Sequence, residues 1–337
     1  MAGIEVEFSS KPPGEWFEFV DNACYHSVYN TKQWFFVLAD SFDYYKPHYA
    51  VARRDGEIVA GLPLFDVSKY GVHKVLSLPL SYGGPVALPK ESEAVEAVLH
   101  AFAENLNFKA CYKALYLPFH SPFERESAKV LQKHGFSRDR LVKYVLDASG
   151  KSEEQVWMQC VGRKERNSIR KAEKSGVQVR ELDSKDFHSV WNLLVSTAAR
   201  LGVKPDKQLF IRNAFEVMTS AGLSKWFGAF HGGKMIAVTS FFYYKNTAVY
   251  FANASDKNYW HLPANSILLW TAIKKALEGG HEIMDLGTGD TERYPTLSKF
   301  KESFGAKPVE SSSYFKTTKA YELAAKARNI LSSMRLP

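Results

Sequence analysis

The segment from His261 to Lys307 constrains the fold more than any other part of this chain. Pro263 suits the first turn of a helix, where its missing N–H costs nothing. The residues that follow have helical spacing and share one apolar face, formed by Leu269, Ala272, Ile273, Ala276 and Leu277. Gly279 and Gly280 predict the end of the helix, and the apolar run Ile283–Leu286 predicts an inner strand. The segment therefore predicts a helix packed on a sheet.

The ends of these two elements predict a binding site. The strand brings Asp285, and the loop through Asp290, to one edge of the sheet. Either carboxylate is a candidate general base or structural acid, and a buried structural role is favoured for Asp285. The start of the helix leaves backbone N–H groups unpaired, which suits an anion or a polarised carbonyl. We therefore predict a donor or acyl site at Pro263, Ala264, Asn265 and Ser266.

Length and composition limit the class of protein. A chain of 337 residues, 45% hydrophobic and 24% charged, is typical of two globular domains. We find neither an export signal nor the apolar run of about 20 residues that spans a bilayer, and we expect a cytoplasmic protein. The three cysteines show no Cys-x-x-Cys or paired-histidine spacing, so we predict no metal site and no covalently bound cofactor. The net charge of +8 favours a polyanionic partner, whereas the oligomeric state is not predicted.

The predicted elements fall into two units with mixed sheets, which indicates an α/β (α+β) fold. The first unit, residues 1–150, contains a hairpin whose turn is Asp55-Gly56. The second unit, residues 151–315, begins at a capping box formed by Ser152 and Gln155. It continues as two helical segments, a strand, two helices, three antiparallel strands, a helix, a strand, a helix and a strand, which is the element order of N-acyltransferases.

A basic stripe is predicted on the helix that begins near Gly162. Its members, three or four residues apart, are Arg163, Arg166, Arg170 and Lys174. Guanidinium groups in such a row can bind phosphates bidentately. An ordinary solvated helix face explains the same spacing equally well. Binding of phosphate or acceptor by the three arginines is therefore one of two open interpretations.

Lys301 is the candidate cation for catalysis. It follows Phe300 and precedes Phe304 by three residues, so the two rings share a face of a short helix. Near a reacting carbonyl, its ammonium would stabilise developing negative charge. A surface lysine lying along its own helix is the alternative that the residues alone leave open.

The chain resembles the FemABX peptidyltransferases and the related BioF2-like branch of the GNAT N-acyltransferases. The resemblance is carried by IRKAEKSGV, LPANSILLWTAIKKALEGGHEIMDLG and LSKFKESFGAK, in this order, and by SYGGPV in the first unit. It implies two GNAT-like domains, with a C-terminal tail, residues 316–337, that packs on the first domain. It also implies that Phe300 and Lys301 are catalytic, and it adds Tyr82 and Gly83 to the phosphate- or acceptor-binding candidates.

The resemblance implies an acyltransferase that forms an amide bond by moving an aminoacyl or acyl group to an amine. Members of the family often use aminoacyl-tRNA and a peptidoglycan precursor of the cell wall, so the expected acceptor is a small-molecule or nucleotide-linked amine. The loop before Pro263 lacks the glycine-rich pattern that binds coenzyme A pyrophosphate, so the donor, aminoacyl-tRNA or acyl-CoA, stays open. The alternatives are an acyl-CoA-dependent N-acetyltransferase acting on a small amine and a non-catalytic RNA-binding protein.

Overall fold

The computed structural model describes residues 3–25, 27–69, 72–80, 82–105, 111–289 and 295–323. Its strands are β1 (Glu5–Ser9), β2 (Tyr45–Arg54), β3 (Glu57–Lys69), β4 (Val72–Ser77), β5 (Val86–Ala87), β6 (Cys111–Tyr116), β7 (Ser137–Asp147), β8 (Gln178–Glu181), β9 (Ser224–His231), β10 (Lys234–Tyr244), β11 (Thr247–Ser255), β12 (Ile283–Thr288) and β13 (Lys307–Thr317). Its α-helices are α1 (Trp16–Asn22), α2 (Lys32–Ser41), α3 (Ser92–Glu104), α4 (Glu124–Lys133), α5 (Glu153–Gln155), α6 (Arg163–Lys174), α7 (Phe187–Arg200), α8 (Gln208–Ser220), α9 (Ala264–Glu278) and α10 (Pro295–Glu302).

The chain divides into two compact units, Met1–Leu141 with Glu310–Pro337, and Val142–Val309. Both boundaries fall inside strands, because β7 and β13 each contribute residues to both units. The predicted domains, 1–150 with 316–337 and 151–315, have their limits a few residues later along the chain. The predicted domain limits therefore stay a prediction.

In the first unit the sheet has the strand order β1-β2-β3-β4-β6-β13, with β5 beside β3. β4 and β6 are parallel, and the other neighbours in this order are antiparallel. Asp55 and Gly56, at φ 52° and 85°, form the turn between β2 and β3. Positive φ at both central residues matches the twist of the flanking strands, which confirms the predicted hairpin. Helix α3 buries Val98 and Phe102 in the core of this unit.

The C-terminal segment packs on the first unit as far as the structure describes it. In β13, Lys316 and Thr317 pair with Lys113 and Tyr112 of β6. The ring of Tyr321 lies 5.5 Å from that of Tyr112. The predicted tail is thus confirmed through residue 323, and its predicted helical continuation lies outside the described residues.

The sheet of the second unit has the strand order β7-β12-β11-β10-β9-β8. β11 and β12 are parallel, and the other neighbours are antiparallel. Together with its helices, this mixed sheet reproduces the predicted element order and confirms the fold class. The three predicted antiparallel strands, β9, β10 and β11, have the bounds that the sequence indicates.

Helices cover both faces of this second sheet. Successive strand residues point to opposite faces. Trp226 packs on Phe215 of α8, with ring centres 5.1 Å apart, whereas Phe227 belongs to the cluster that contains Leu268 and Trp270 of α9. Leu268 and Trp270 lie outside the predicted apolar face and are nevertheless buried, because α6 packs against α9.

Two local predictions are corrected by the structure. Ser152 and Gln155 do form the predicted capping box, but α5 is a single turn that continues as a π-turn, Val156–Cys160. Pro263 is the N-cap of α9 and precedes its first turn, with ψ 56° outside the helical range. In the described part of the chain, no helix is both long enough and apolar enough to cross a membrane.

Candidate functional site

The parallel strands β11 and β12 separate toward their C-terminal ends, and the edge formed by these strand ends is where the candidate site lies. Their pairing covers Thr247 to Val249 and Ile283 to Asp285, whereas the strands run on to Ser255 and Thr288. Beyond the last pair, backbone groups of the two strands no longer bond to each other. Such a gap can accept the carbonyl or amide of a ligand, since backbone polar groups need partners.

A bulge around Gly287 ends strand β12. Against β7, Asp285 pairs with Val145 and Thr288 with Lys143, so β12 carries one extra residue. Gly287 has φ 84°, which glycine adopts without steric cost. Its N–H donates to Asp285 Oδ1 at 2.7 Å. The bulge therefore turns the backbone at the edge where β11 and β12 have separated.

Lys301 of α10 places its ammonium at this end of β12. Its Nζ donates to the carbonyl oxygen of Thr288 at 2.7 Å and lies 5.8 Å from the centre of the Tyr144 ring. Only 4% of Lys301 is exposed. Burial lowers the pKa of Lys301 to about 8, with the charge of Asp285 raising it and that of Lys143 lowering it further. A buried ammonium of reduced basicity is thus held beside the separated strands.

Asp285 is the counter-ion of this cluster. Its side chain is fully buried, and its Oδ2 lies 3.3 Å from Nζ of Lys143. The other carboxylate oxygen accepts from Gly287. Asp285 therefore links the ammonium of Lys143 to the backbone of the bulge. This contact supports the structural role that the sequence favours for Asp285.

Two buried hydroxyl groups adjoin Lys301. Tyr144 of β7 and Ser298, one turn before Lys301, have hydroxyls without a hydrogen-bond partner within the described residues. A Cβ atom on Gly289 would lie 2.0 Å from the Tyr144 ring and 3.0 Å from Ser298 Oγ, so the backbone passes directly over both. Sequence patterns do not indicate Tyr144, because only the pairing of β7 with β12 brings it here.

The reduced pKa of Lys301 predicts a pH-dependent stability. In the unfolded chain, Lys301 should titrate near pH 10.4, whereas its folded pKa is about 8. Between these values the unfolded chain binds more protons, so the free energy of unfolding should rise with pH by about 3 kcal/mol through this group. Urea titrations of the wild type and Lys301→Met from pH 7 to 10.5 measure it. If the free energy of unfolding changed with pH equally in both proteins, burial would not disfavour the charged form of Lys301.

The start of α9 is less open than the sequence predicts. The N–H of Ala264 donates to Leu262 O at 2.7 Å, and that of Ser266 donates to Pro263 O at 3.1 Å, because the chain turns tightly before the helix. The Ser266 hydroxyl donates to Glu165 of α6 at 2.7 Å. Ser266 therefore connects two helices, which makes it a poor candidate for donor binding.

All four predicted residues nevertheless border a cavity at this point, although Ala264 and Ser266 are themselves almost fully buried. Pro263, Ala264 and Asn265 line a cavity of about 190 Å³ with Ser255 and Trp260. Asn265 donates to Ser255 Oγ at 3.5 Å, and the Trp260 indole N–H donates to the same oxygen at 3.2 Å. The cavity is small, and its wall combines apolar side chains with amide and hydroxyl groups that can bind a carbonyl.

A larger groove, of about 1150 Å³, follows one face of α7 and reaches the loop after β11. Its charged residues are Arg180, Asp186, Arg200, Lys234, Asp256 and Lys257. Four basic and two acidic side chains leave a net charge of +2. Arg180 and Lys234 are paired with the carboxylates, and Arg200 lies 4.8 Å from the ring centre of Trp260. Because these residues come from five separate segments, no sequence pattern reveals the groove.

The predicted basic stripe divides into two parts. Arg163 lies exposed at the start of α6. Arg166 instead donates from Nη1 to the carbonyl oxygens of Trp157 at 3.1 Å and Met158 at 3.2 Å, and also to that of Val161. Arg170 lies 5.7 Å from the ring centre of Trp157. Arg166 thus caps the π-turn through Nη1, and the phosphate contact predicted for it stays a prediction.

The other predicted residues lie as follows. Phe300 packs edge-on against Phe304, with ring centres 5.3 Å apart. Tyr82 is buried in the first unit, where its ring meets that of Tyr29 at 5.0 Å. The N–H of Gly83 donates to Tyr116 O at 2.8 Å. Tyr82 and Gly83 thus support the fold of the first unit, and Asp290 lies outside the described residues.

Comparison with known proteins identifies the class of fold. Residues 163–301 match the family model described as an acetyltransferase (GNAT) domain. This stretch contains α9, β12 and Lys301, so the likeness to a GNAT domain lies in the second unit. Among curated proteins, none matches the sequence.

Solved structures extend the likeness to both units. FemX is 14% identical, with a TM-score of 0.74 over 95% of this chain and 99% of its own. A tandem GNAT protein from the clavulanic acid biosynthesis pathway is 13% identical, with a TM-score of 0.56 over 93% of this chain and 98% of its own. L-PGS from Bacillus licheniformis is 11% identical, with a TM-score of 0.53 over 88% of this chain and 91% of its own. The chain thus has a fold of the FemABX and GNAT type, as its sequence resemblance predicts.

Proposed function

We propose that this acyltransferase transfers an aminoacyl or acyl group from an ester or thioester to the amine of a small-molecule or nucleotide-linked acceptor. The observation that carries the proposal is the buried ammonium of Lys301 at the edge where β11 and β12 separate. The acceptor nitrogen attacks the donor carbonyl and forms a tetrahedral oxyanion. Collapse then releases the alcohol or thiol, which takes up the proton that the amine loses.

Lys301 would stabilise the oxyanion. With a pKa of about 8, its side chain is mostly protonated at pH 7 and carries the positive charge that this role requires. Electrostatic stabilisation is strongest where water is excluded, and Lys301 is almost fully buried. Phe300 would serve the site by packing α10 against the core of the second unit. The hydroxyls of Tyr144 and Ser298 would donate to the donor or acceptor.

The groove along α7 supports a donor that contains a nucleotide. Its volume of about 1150 Å³ exceeds the usual range for small-molecule sites, and its net positive charge favours phosphates. Trp260 is 57% exposed beside it and offers a face on which a base can stack. Coenzyme A and the 3′ end of a tRNA both combine phosphates with adenosine, so both remain candidates.

The similarity to FemX and the predicted FemABX relationship favour aminoacyl-tRNA as donor and a cell-wall precursor as acceptor. An acyl-CoA-dependent N-acetyltransferase is the second candidate. It is supported by the match of residues 163–301 to an acetyltransferase (GNAT) domain. The two differ in donor and share the chemistry proposed for Lys301.

Thermal unfolding with each donor distinguishes these candidates. A ligand that binds the folded state alone raises the melting temperature. We expect stabilisation by an aminoacylated acceptor-stem RNA and none by acetyl-CoA. The reverse result selects the acyl-CoA enzyme. Stabilisation by any RNA regardless of aminoacylation, with steep salt dependence and no amide product, would instead show a non-catalytic RNA-binding protein.

The two parts of the basic stripe predict separable effects. Arg163→Glu should raise KM about tenfold and leave kcat unchanged, since an exposed phosphate contact contributes uniform binding. Arg166→Ala should lower the free energy of unfolding by about 2 kcal/mol, because three carbonyl groups lose a charged donor. Steady-state kinetics and urea titration of both variants measure this. Unchanged KM in Arg163→Glu would leave that arginine as part of a solvated helix face.

A further inference from the structure

A cluster of two histidines and a glutamate lies in the first unit. His100 Nδ1 is 2.8 Å from His134 Nε2, and Glu104 Oε1 is 3.8 Å from the same nitrogen. The three potential ligand atoms all lie within 4.8 Å of one another. The acyl-transfer site in the second unit uses none of these residues, so the cluster requires its own explanation.

Helices α3 and α4 bring the three side chains together. His100 and Glu104 are four residues apart in α3, and side chains with this spacing share one helix face. His134 is the C-cap of α4, and its N–H donates to Val130 O at 3.2 Å. The two helices pack on each other. Because 30 residues separate His134 from Glu104, the short spacings that usually indicate a metal site are absent.

The helix positions that carry the cluster are fixed from the protein interior. The residues beside His100 and Glu104, Leu99 and Phe102, are buried, as is Leu131 of α4. Lys113 donates to the carbonyl oxygens of Phe102 at 3.1 Å and Ala103 at 2.9 Å, which holds the last turn of α3. The backbone is therefore rigid, whereas the ligand side chains are partly exposed and can adjust.

We propose that His100, Glu104 and His134 bind a divalent transition metal, with Zn²⁺ as the best match. Two imidazole nitrogens and one carboxylate oxygen form a borderline-soft set that Zn²⁺ prefers, and hard cations such as Ca²⁺ take six to eight oxygens. A tetrahedral zinc with bonds of about 2.0 Å separates its ligand atoms by about 3.3 Å. Small side-chain rotations reach that spacing from the observed 2.8 and 3.8 Å.

The metal would bridge α3 and α4 on the surface of the first unit. Three protein ligands leave a fourth position, which a water molecule or a further ligand would complete. A bridge of this kind stabilises the folded state by an amount that grows with the logarithm of the metal concentration once that concentration exceeds the dissociation constant. The proposal therefore concerns metal binding and stability and is independent of acyl transfer.

Calorimetric titration of untagged, chelator-treated protein with ZnCl₂ tests the site. We expect one Zn²⁺ per chain, a higher melting temperature with Zn²⁺, and no comparable effect of Ca²⁺. Glu104→Gln and His134→Gln should each weaken binding by about tenfold or more, because loss of a ligand costs at least as much as loss of a residue that orients one. Glu104 has a mostly exposed side chain, so its variant should fold normally.

His73→Gln is the matched control. His73 lies in the same unit and is near Ser68 and Asp66, at 2.7 and 3.7 Å, but outside the three-residue cluster. This variant should bind Zn²⁺ as the wild type does. The proposal is overturned if the wild type shows no saturable 1:1 binding, if Ca²⁺ binds equally well, or if both ligand variants retain wild-type affinity.

Discussion

Lys301→Met should lower turnover by about two to three decades while the protein remains folded. Removing one group that stabilises an oxyanion typically raises the barrier by about 3 kcal/mol. Methionine fills a similar volume without the buried positive charge, and the exposed Thr288, which loses a hydrogen-bond donor, can bind water instead. Steady-state kinetics with the preferred donor measure kcat, and thermal unfolding verifies that the variant is folded.

Lys299→Met is the matched control for this prediction. Lys299 lies on the same helix two residues earlier, but its side chain is exposed. Its replacement changes the charge of the protein by the same amount and should leave kcat within a factor of about two, since single exposed charges interact weakly across solvent. If both variants lost activity equally, the effect would be one of overall charge. Near-wild-type turnover in Lys301→Met would remove Lys301 from the mechanism.

Asp285→Asn should lower the free energy of unfolding by about 3–5 kcal/mol. The substitution keeps the shape of the side chain but leaves the buried ammonium of Lys301 and the partly buried ammonium of Lys143 without the fully buried carboxylate that they share, and broken buried ion pairs have costs of this size. Removing the negative charge also lowers the pKa of Lys301 further. The activity that remains should therefore decline at a lower pH than in the wild type.

Glu216→Gln provides the comparison for this loss. Glu216 forms an ion pair with Arg212 at 3.0 Å on the surface of α8 in the same unit. Pairs of this kind contribute about 0.3–0.5 kcal/mol, so the variant should be almost as stable as the wild type. Urea titration of both variants gives the two values. Equal small losses would mean that Asp285 is not an essential counter-ion.

Much of the second unit can be predicted from local sequence. The bounds of β9, β10 and β11 follow from apolar runs broken by Gly232-Gly233 and Lys245-Asn246. These turn residues adopt the positive φ that ends a strand, as Gly232, Gly233 and Lys245 do in the structure. The capping box at Ser152 is equally local, because both of its hydrogen bonds join residues three apart.

The features that sequence reasoning misses depend on distant contacts. The π-turn after α5 is stabilised by Arg166, which reaches back to it from α6. Leu268 and Trp270 of α9 lie outside the predicted apolar face and are nevertheless buried, in the helix against which α6 packs. Tyr144 approaches Lys301 only through the pairing of β7 with β12. Periodicity describes which face of an element is apolar, but it does not identify the element that packs on that face.

Lys301 shows what a local sequence pattern predicts about a site residue and what only the folded structure determines. Its spacing from Phe300 and Phe304 indicates a helix edge, which is equally compatible with a solvent-exposed side chain. Its burial and lowered pKa arise from β12, whose bulge brings the Thr288 carbonyl and the Asp285 carboxylate to one point. Family resemblance singled out the residue, and the folded sheet supplies the physical basis for the role proposed for it.

The most direct test of the account is a single-turnover reaction analysed by mass spectrometry. Wild-type protein and Lys301→Met are each mixed with a labelled aminoacyl or acyl donor and a primary-amine acceptor, and the label is followed into the amide. The account predicts that the wild type forms the amide product and that Lys301→Met forms it about 100 to 1000 times more slowly. Donor that is only hydrolysed, or amide formed at equal rates by both proteins, would contradict it.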